Sequence, residues 1–119
     1  DLIDDIVFVH PKDMQDQKIE IASNDIITNL PYYKEAHLVF DHHESEAMRN
    51  SEADNYFIDA KAPSAARIVY EYYGGAEKLP QISEEMMIAV DKADSAQFTK
   101  EDILNPQGWE LLSFLMDSR

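Results

Sequence analysis

The sequence predicts an α/β domain with a parallel sheet flanked by helices, and two patterns indicate that class. Short apolar runs rich in β-branched and aromatic residues are typical of buried strands; they cover residues 6–9, 25–29, 38–40 and 56–58. Later segments repeat their apolar residues at helical spacing and begin with cap signals. At 119 residues, the chain is expected to form one small domain with a single core.

The first part of the chain is predicted to alternate strands and loops. The run at residues 6–9 is expected to be a buried strand, and Pro11 should end it because proline has no amide donor. A loop should follow through Asp16, with His10 as a loop histidine. Residues 18–22 alternate polar and apolar side chains, a pattern typical of a short edge strand.

Cap residues predict where the helices of the second half begin. The segment 62–64 should open a helix that closes at Gly74 and Gly75. Ser83 should cap the next helix, and Thr99 with Asp102 resembles a capping box. The final helix is expected to pack on the sheet through apolar residues at helical spacing, namely Trp109, Leu112, Leu115 and Met116.

The amino-acid composition limits the classes of protein to which the chain can belong. With 45% hydrophobic residues, the chain can build a core, and without cysteine it has no disulfides or thiolate ligands. It contains no apolar run of about twenty residues and no basic leader before an apolar segment. The sequence therefore predicts neither a membrane span nor a secretory signal, and a cytoplasmic setting is expected.

The strong negative charge restricts the partners. The formal net charge is −14 at pH 7, from 24 acids and 10 bases. Such a chain repels polyanions at long range, so an extended nucleic-acid surface is not expected. A small phosphate-containing partner, such as a short nucleic acid, fits if bound divalent cations reverse the local sign of the charge.

The stretch at residues 38–43 carries the densest functional chemistry. Three apolar residues run into Asp41, His42 and His43, as expected where a buried strand ends and a binding crevice opens. Histidine nitrogens bind metals or move protons near neutral pH. Adjacent side chains on an extended segment point to opposite faces, so one histidine should bind and the other should act or support.

Other polar residues are weaker candidates. Asn29 lies at a predicted strand end, as Asp41 does. Asp91 and Asp94 are three residues apart on one side of a predicted helix, where carboxylates are either metal ligands or solvated acids. Arg49 lies in a polar segment at residues 44–55, interpreted as an exposed loop or short helix. It either holds a substrate phosphate or pairs with nearby acids.

Four stretches in order resemble the motifs of the DHH phosphoesterase superfamily, with the greatest similarity to its exopolyphosphatase-related branch. The likeness covers nearly the whole chain. The stretches are Val39-Phe-Asp-His-His-Glu-Ser-Glu46, Asp25-Ile-Ile-Thr-Asn-Leu-Pro-Tyr32, Ala62-Pro-Ser-Ala-Ala66 and Ala89-Val-Asp-Lys-Ala-Asp-Ser95.

This resemblance implies metal-dependent hydrolysis of a phosphoanhydride or phosphodiester by the parent protein. Family substrates include polyphosphate, pyrophosphate, short oligonucleotides and cyclic dinucleotides. The resemblance implies that His42 and Asp94 bind the metal, Mn²⁺ first and Mg²⁺ or Co²⁺ as alternatives. Asp41 would orient a histidine, and His43 would contact the phosphate or protonate the leaving oxygen. Asp91 would be a neighbour of the ligands.

The chain departs from the family pattern in two ways. Asn29 stands where the family usually has an aspartate that bridges two metal ions, and the family's opening motif of acidic residues is absent. Residues 1–119 are therefore interpreted as one partial DHH domain lacking its first strand and motif. We expect this chain alone to be inactive, and homo-oligomers to cover unpaired strand edges. The alternative is a non-catalytic remnant that serves assembly or regulation.

Overall fold

A computed structural model gives the fold and describes residues 3–49 and 53–116. Its strands are β1 at Ile26–Thr28, β2 at Leu38–Asp41 and β3 at Tyr56–Ile58. They form a parallel sheet in the order β1, β2, β3. Each strand falls within or overlaps a predicted run, so the α/β class with a parallel sheet flanked by helices is confirmed.

The helices frame this sheet, and α3, α5 and α6 begin at the predicted cap residues. They are α1 at Pro11–Gln15, α2 at Glu44–Arg49, α3 at Ala65–Tyr72, α4 at Gly75–Lys78, α5 at Glu84–Ser95, α6 at Lys100–Leu104 and α7 at Gly108–Met116. The Ser83 hydroxyl accepts the Met86 N–H, and Thr99 and Asp102 form the expected capping box. No helix in residues 3–49 or 53–116 has the length and apolar character needed to cross a bilayer.

The central strand β2 buries both of its faces. Val39 and Phe40 are fully buried. Val39 packs in a core with Ile27 and Tyr56 on one face. On the other face, the Phe40 ring centroid lies 5.0 Å from that of Tyr72 in α3. The carboxyl end of β2 is therefore held between two packed layers, as is usual in parallel sheets.

The predicted strand at residues 6–9 is wrong. Ile6, Val7 and Phe8 are 72%, 69% and 96% exposed, and the segment is irregular. An extended chain becomes a strand only where a neighbour pairs with its backbone, and the described sheet has no strand beside this one. The predicted edge strand at residues 18–22 is irregular for the same reason.

The segment after His10 is a helix, where the sequence predicts a loop. Pro11 occupies the first turn of α1, where its missing N–H costs nothing. His10 is the N-cap residue, and its Nδ1 accepts the backbone N–H of Lys12 at 3.1 Å. The imidazole thus replaces the usual hydroxyl or carboxylate cap.

The final helix α7 packs chiefly on α5 and not on the sheet, contrary to the prediction. Lys92 of α5 donates to Glu110 of α7 at 2.9 Å and to Asp102 of α6 at 3.1 Å. Helical periodicity reveals an apolar stripe but not the surface that covers it. Here the stripe stays partly open, and Trp109 is 39% exposed.

A polar clamp, formed by Ser64, Arg67 and Asp91, joins the start of α3 to α5. The Ser64 hydroxyl donates to Asp91 Oδ1 at 2.7 Å and accepts the Arg67 N–H at 3.0 Å. Arg67 Nε donates to Asp91 Oδ2 at 2.9 Å. The Arg67 and Asp91 side chains are only 15% and 13% exposed. This clamp sets the position of Asp94, one turn further along α5.

We predict that Arg67→Ala lowers the free energy of unfolding by about 2–4 kcal/mol, because it leaves the Asp91 carboxylate without its charged partner. Urea denaturation measures the loss. Lys34→Ala is the control, since Lys34 forms an exposed pair with Glu35 at 3.4 Å; that change should cost less than about 1 kcal/mol. Equal losses in both variants would contradict a buried clamp.

The contacts of Lys92 predict an acid-sensitive attachment of α6 and α7. Hydrogen bonding from Lys92 lowers the pKa of Glu110. Bonds from the Thr99 N–H and hydroxyl, and then from Lys92, lower the pKa of Asp102. A carboxyl group with a lowered folded-state pKa stabilises the fold above its ordinary pKa, and this stabilisation is lost as the pH falls through the lowered value.

Consequently, the stability difference between the parent chain and Lys92→Met should be largest near pH 7 and shrink below about pH 4. Urea denaturation midpoints of both proteins, measured from pH 7 to below pH 4, test this prediction. Lys78→Met is the control, because Lys78 lies on the surface 3.8 Å from Glu77. A Lys92→Met difference that stays constant from neutral to acid pH would show that these carboxyl groups do not carry the attachment.

Candidate metal centre

The candidate site begins where β2 ends. Side chains alternate along the strand, so Phe40 and His42 point to the helical face and Asp41 points to the opposite face. His42 thereby reaches α5, where its Nε2 lies 3.1 Å from Asp94 Oδ2. Two residues that are far apart in the sequence, and that were both predicted as ligands, thus lie side by side.

A backbone carbonyl fixes the orientation of His42. Its Nδ1 lies 3.2 Å from the Ala62 carbonyl oxygen, in the segment that leads into α3. Because a carbonyl only accepts hydrogen bonds, Nδ1 carries the proton in this contact. In a neutral imidazole, Nε2 then presents its lone pair to the Asp94 carboxylate, which is the usual orientation of a metal-binding histidine.

The contact between His42 and Asp94 therefore needs a proton or a cation between the two atoms. A lone pair on Nε2 and a carboxylate oxygen repel each other at 3.1 Å unless a second ring proton or a cation joins them. Two adjacent ligands of an octahedral ion with bonds of about 2.1 Å lie about 3.0 Å apart. The separation and the donor types both fit a divalent metal ion.

The described residues provide few side chains that could bind a metal ion at this site. Within residues 3–49 and 53–116, no group of three His, Asp or Glu side chains is arranged to hold a metal. Asn29 directly follows β1 and has φ of +58°, a left-handed conformation that asparagine tolerates. It lines the same groove of about 840 Å³ as Ser64 and Asp94. Its role as a ligand stays a prediction.

The second histidine has a separate partner. His43 Nδ1 donates to Asp41 Oδ1 at 2.7 Å, and the same oxygen accepts the backbone N–H groups of His42 at 2.9 Å and His43 at 3.4 Å. Asp41 is fully buried, whereas the His43 side chain is 52% exposed. The two imidazole centroids lie 4.9 Å apart. One site thus contains two histidines held by different groups.

Arg49 lies on α2 and pairs with an acid. Its Nη1 is 3.2 Å from Glu46 Oε1, and its side chain is 66% exposed. An ordinary surface pair of this kind was the alternative interpretation of Arg49 from the sequence. Phosphate binding by Arg49 stays a prediction.

Two residues near the site were not singled out from the sequence. Arg67 completes the clamp on Asp91, and Tyr56 places a buried hydroxyl on the Asp41 side of the sheet. Burial raises the pKa of Tyr56 above its ordinary value, and the charges of Asp41 and Glu46 raise it further. Their partners depend on strand register and helix packing, which local sequence patterns do not reveal.

A search of solved structures finds a similar protein, the pGpG-specific phosphodiesterase PggH from Vibrio cholerae. The match covers 98% of this chain with 58% sequence identity and a TM-score of 0.85. The chain spans 37% of the length of that protein. A scan against protein families finds no match, and neither does a search of curated proteins. Nearly all of this chain therefore shares its fold with part of a phosphodiesterase.

Proposed function

We propose that this chain forms part of a metal-dependent phosphodiesterase of the DHH type that hydrolyses pGpG, a linear guanine dinucleotide. The single observation that carries the proposal is the 58% identity to PggH over 98% of the chain. The contact of His42 with Asp94 gives this similarity a chemical basis, because histidine and carboxylate ligands suit divalent metals.

His42 and Asp94 would hold the metal ion, with Mn²⁺ as our first choice and Mg²⁺ or Co²⁺ as alternatives. When bound, such an ion lowers the pKa of a coordinated water and supplies hydroxide for attack on phosphorus. The Ala62 carbonyl keeps His42 turned so that Nε2 faces Asp94. Two side chains do not complete a ligand set, so water, substrate oxygens or residues beyond this chain would supply the rest.

His43 would act on the substrate. Its Nδ1 is engaged by Asp41, which leaves Nε2 of the half-exposed ring to contact a phosphate oxygen or to protonate the leaving oxygen. Asp41 is buried and would hold the ring in place while stabilising its positive charge. The two histidines would then have different roles, as the strand geometry predicts, and the resemblance to the DHH family assigns His42 to the metal and His43 to the substrate.

Charge favours a short substrate. A net charge of −14 opposes the approach of long polyanions, whereas a dinucleotide needs only a local region of positive potential. A cation beside Asp94 would create that region. Polyphosphate, pyrophosphate and cyclic dinucleotides are alternative substrates for the same chemistry, and the specificity stated for PggH ranks pGpG ahead of them.

The second candidate is that the chain is a non-catalytic remnant of such a domain and serves in assembly or regulation. It is favoured by the small number of metal donors in the described residues and by Asn29 in place of a bridging carboxylate. The partial DHH domain at residues 1–119, the cytoplasmic setting and the homo-oligomer stay predictions.

The test is hydrolysis of pGpG by the natural gene product with Mn²⁺. We expect His43→Ala to lower kcat about 10²- to 10⁴-fold, because it removes proton transfer, while the Mn²⁺ concentration at half-maximal rate stays unchanged. His42→Ala should instead raise that Mn²⁺ concentration. His37→Ala is the control, since His37 is exposed. An inactive protein would favour the remnant interpretation. Activity that is the same in His42→Ala, His43→Ala and His37→Ala would contradict the roles given to the two histidines.

A further inference from the structure

Three buried side-chain atoms of the described residues have no hydrogen-bond partner. They are Asp41 Oδ2, the Tyr56 hydroxyl and the Tyr70 hydroxyl. Buried polar groups are nearly always paired in folded proteins, so each exception calls for an explanation. Asp41 and Tyr56 are 0% and 8% exposed, and they lie on neighbouring strands.

Strand register brings the two side chains to one face of the sheet. Tyr56 pairs with Val39, and Asp41 lies two residues beyond Val39 on the same strand. Side chains two residues apart point to the same face, so Asp41 and Tyr56 are diagonal neighbours across the parallel pair. Such a diagonal is within reach of a long aromatic side chain.

The two atoms are also complementary in chemistry. Asp41 Oδ1 accepts hydrogen bonds from His43 Nδ1 and from two backbone N–H groups, whereas Oδ2 accepts none. The Tyr56 hydroxyl is a donor without an acceptor. Burial and the nearby charge of Asp41 raise its pKa, which keeps the hydroxyl protonated and able to donate.

We propose that Tyr56 is a positioning residue whose hydroxyl, unpaired in the structure, turns to donate to the equally unpaired Asp41 Oδ2 and so keeps Oδ1 turned toward His43. Both oxygens of the carboxylate are then fixed, and rotation of the group no longer competes with the bond to the imidazole. His43 is thereby held in the tautomer that carries its proton on Nδ1. The catalytic meaning of this relay rests on the proposed function, but the relay itself can be tested without substrate.

The ring of Tyr56 is held in place independently of its hydroxyl. Its centroid lies 4.7 Å from that of Tyr32, and the ring packs in the core with Val39 and Ile27. The Tyr32 hydroxyl donates to Asn55 Oδ1 at 3.1 Å. Removing only the Tyr56 hydroxyl should therefore leave the packing intact and change the orientation of the carboxylate alone.

The experiment measures the imidazole ¹⁵N chemical shifts of the chain by long-range NMR correlation, which reports the tautomer of each histidine. We expect His43 in the parent chain to be predominantly the Nδ1–H form and Tyr56→Phe to lower the ratio of Nδ1–H to Nε2–H several-fold. His42, whose Nδ1 contacts the Ala62 carbonyl, is an internal reference that should not change.

Two tyrosines provide matched controls. Tyr32→Phe removes a hydroxyl from the neighbouring ring, and Tyr70→Phe removes another buried hydroxyl without a partner. Neither should alter the His43 tautomer. An unchanged His43 ratio in folded Tyr56→Phe would overturn the proposal and make Tyr56 a packing residue only.

A second measurement needs no substitution. In the parent chain with ¹³C-labelled tyrosine rings, the deuterium isotope shift at Cζ reveals how fast each hydroxyl proton exchanges. We expect slow exchange at Tyr56, and exchange as fast as that of an exposed tyrosine would also overturn the proposal. If the protein does not hydrolyse pGpG but both NMR results are as expected, the proposed function is contradicted and the proposed role of Tyr56 is still supported.

Discussion

The contact between His42 Nε2 and Asp94 Oδ2 at 3.1 Å is the interaction on which the site depends. It joins the central strand to α5, and it places two acceptors face to face when Nδ1 donates to the Ala62 carbonyl. That arrangement requires a proton or a cation between the two atoms, and the surrounding structure holds the pair in position. The clamp of Asp91 on α3 fixes the helix, and packing on both faces of β2 fixes the strand.

The adjacent histidines at the end of β2 have different partners and different exposure. Alternation sends His42 to the helical face, and the turn after Asp41 lets that carboxylate hold His43 instead. Burial differs accordingly, since the His42 side chain is 15% exposed and that of His43 is 52% exposed. A metal ligand benefits from a dry, rigid setting, whereas a group that meets the substrate must be accessible.

The pairing of His42 with Asp94 as ligands was predicted from the resemblance to the DHH phosphoesterase superfamily. Local patterns were sufficient to predict β2 and the caps of α5 and α6, because strands and caps are encoded within a few residues. They failed at residues 6–9, where an apolar run cannot show whether a neighbouring strand exists. They also missed Arg67 and Tyr56, since the partners of these residues depend on helix packing and strand register. Tertiary contacts between elements were thus the part that sequence patterns could not supply.

Calorimetric titration of this chain with Mn²⁺ tests the central claim most directly, because it requires no substrate. We expect binding weaker than that of closed sites with three or four ligands, and a further loss of about tenfold or more in both His42→Ala and Asp94→Ala. His37→Ala and Asp54→Ala remove exposed residues of the same types and should bind as the parent does. Equal binding by all five proteins would contradict a metal centre at this pair.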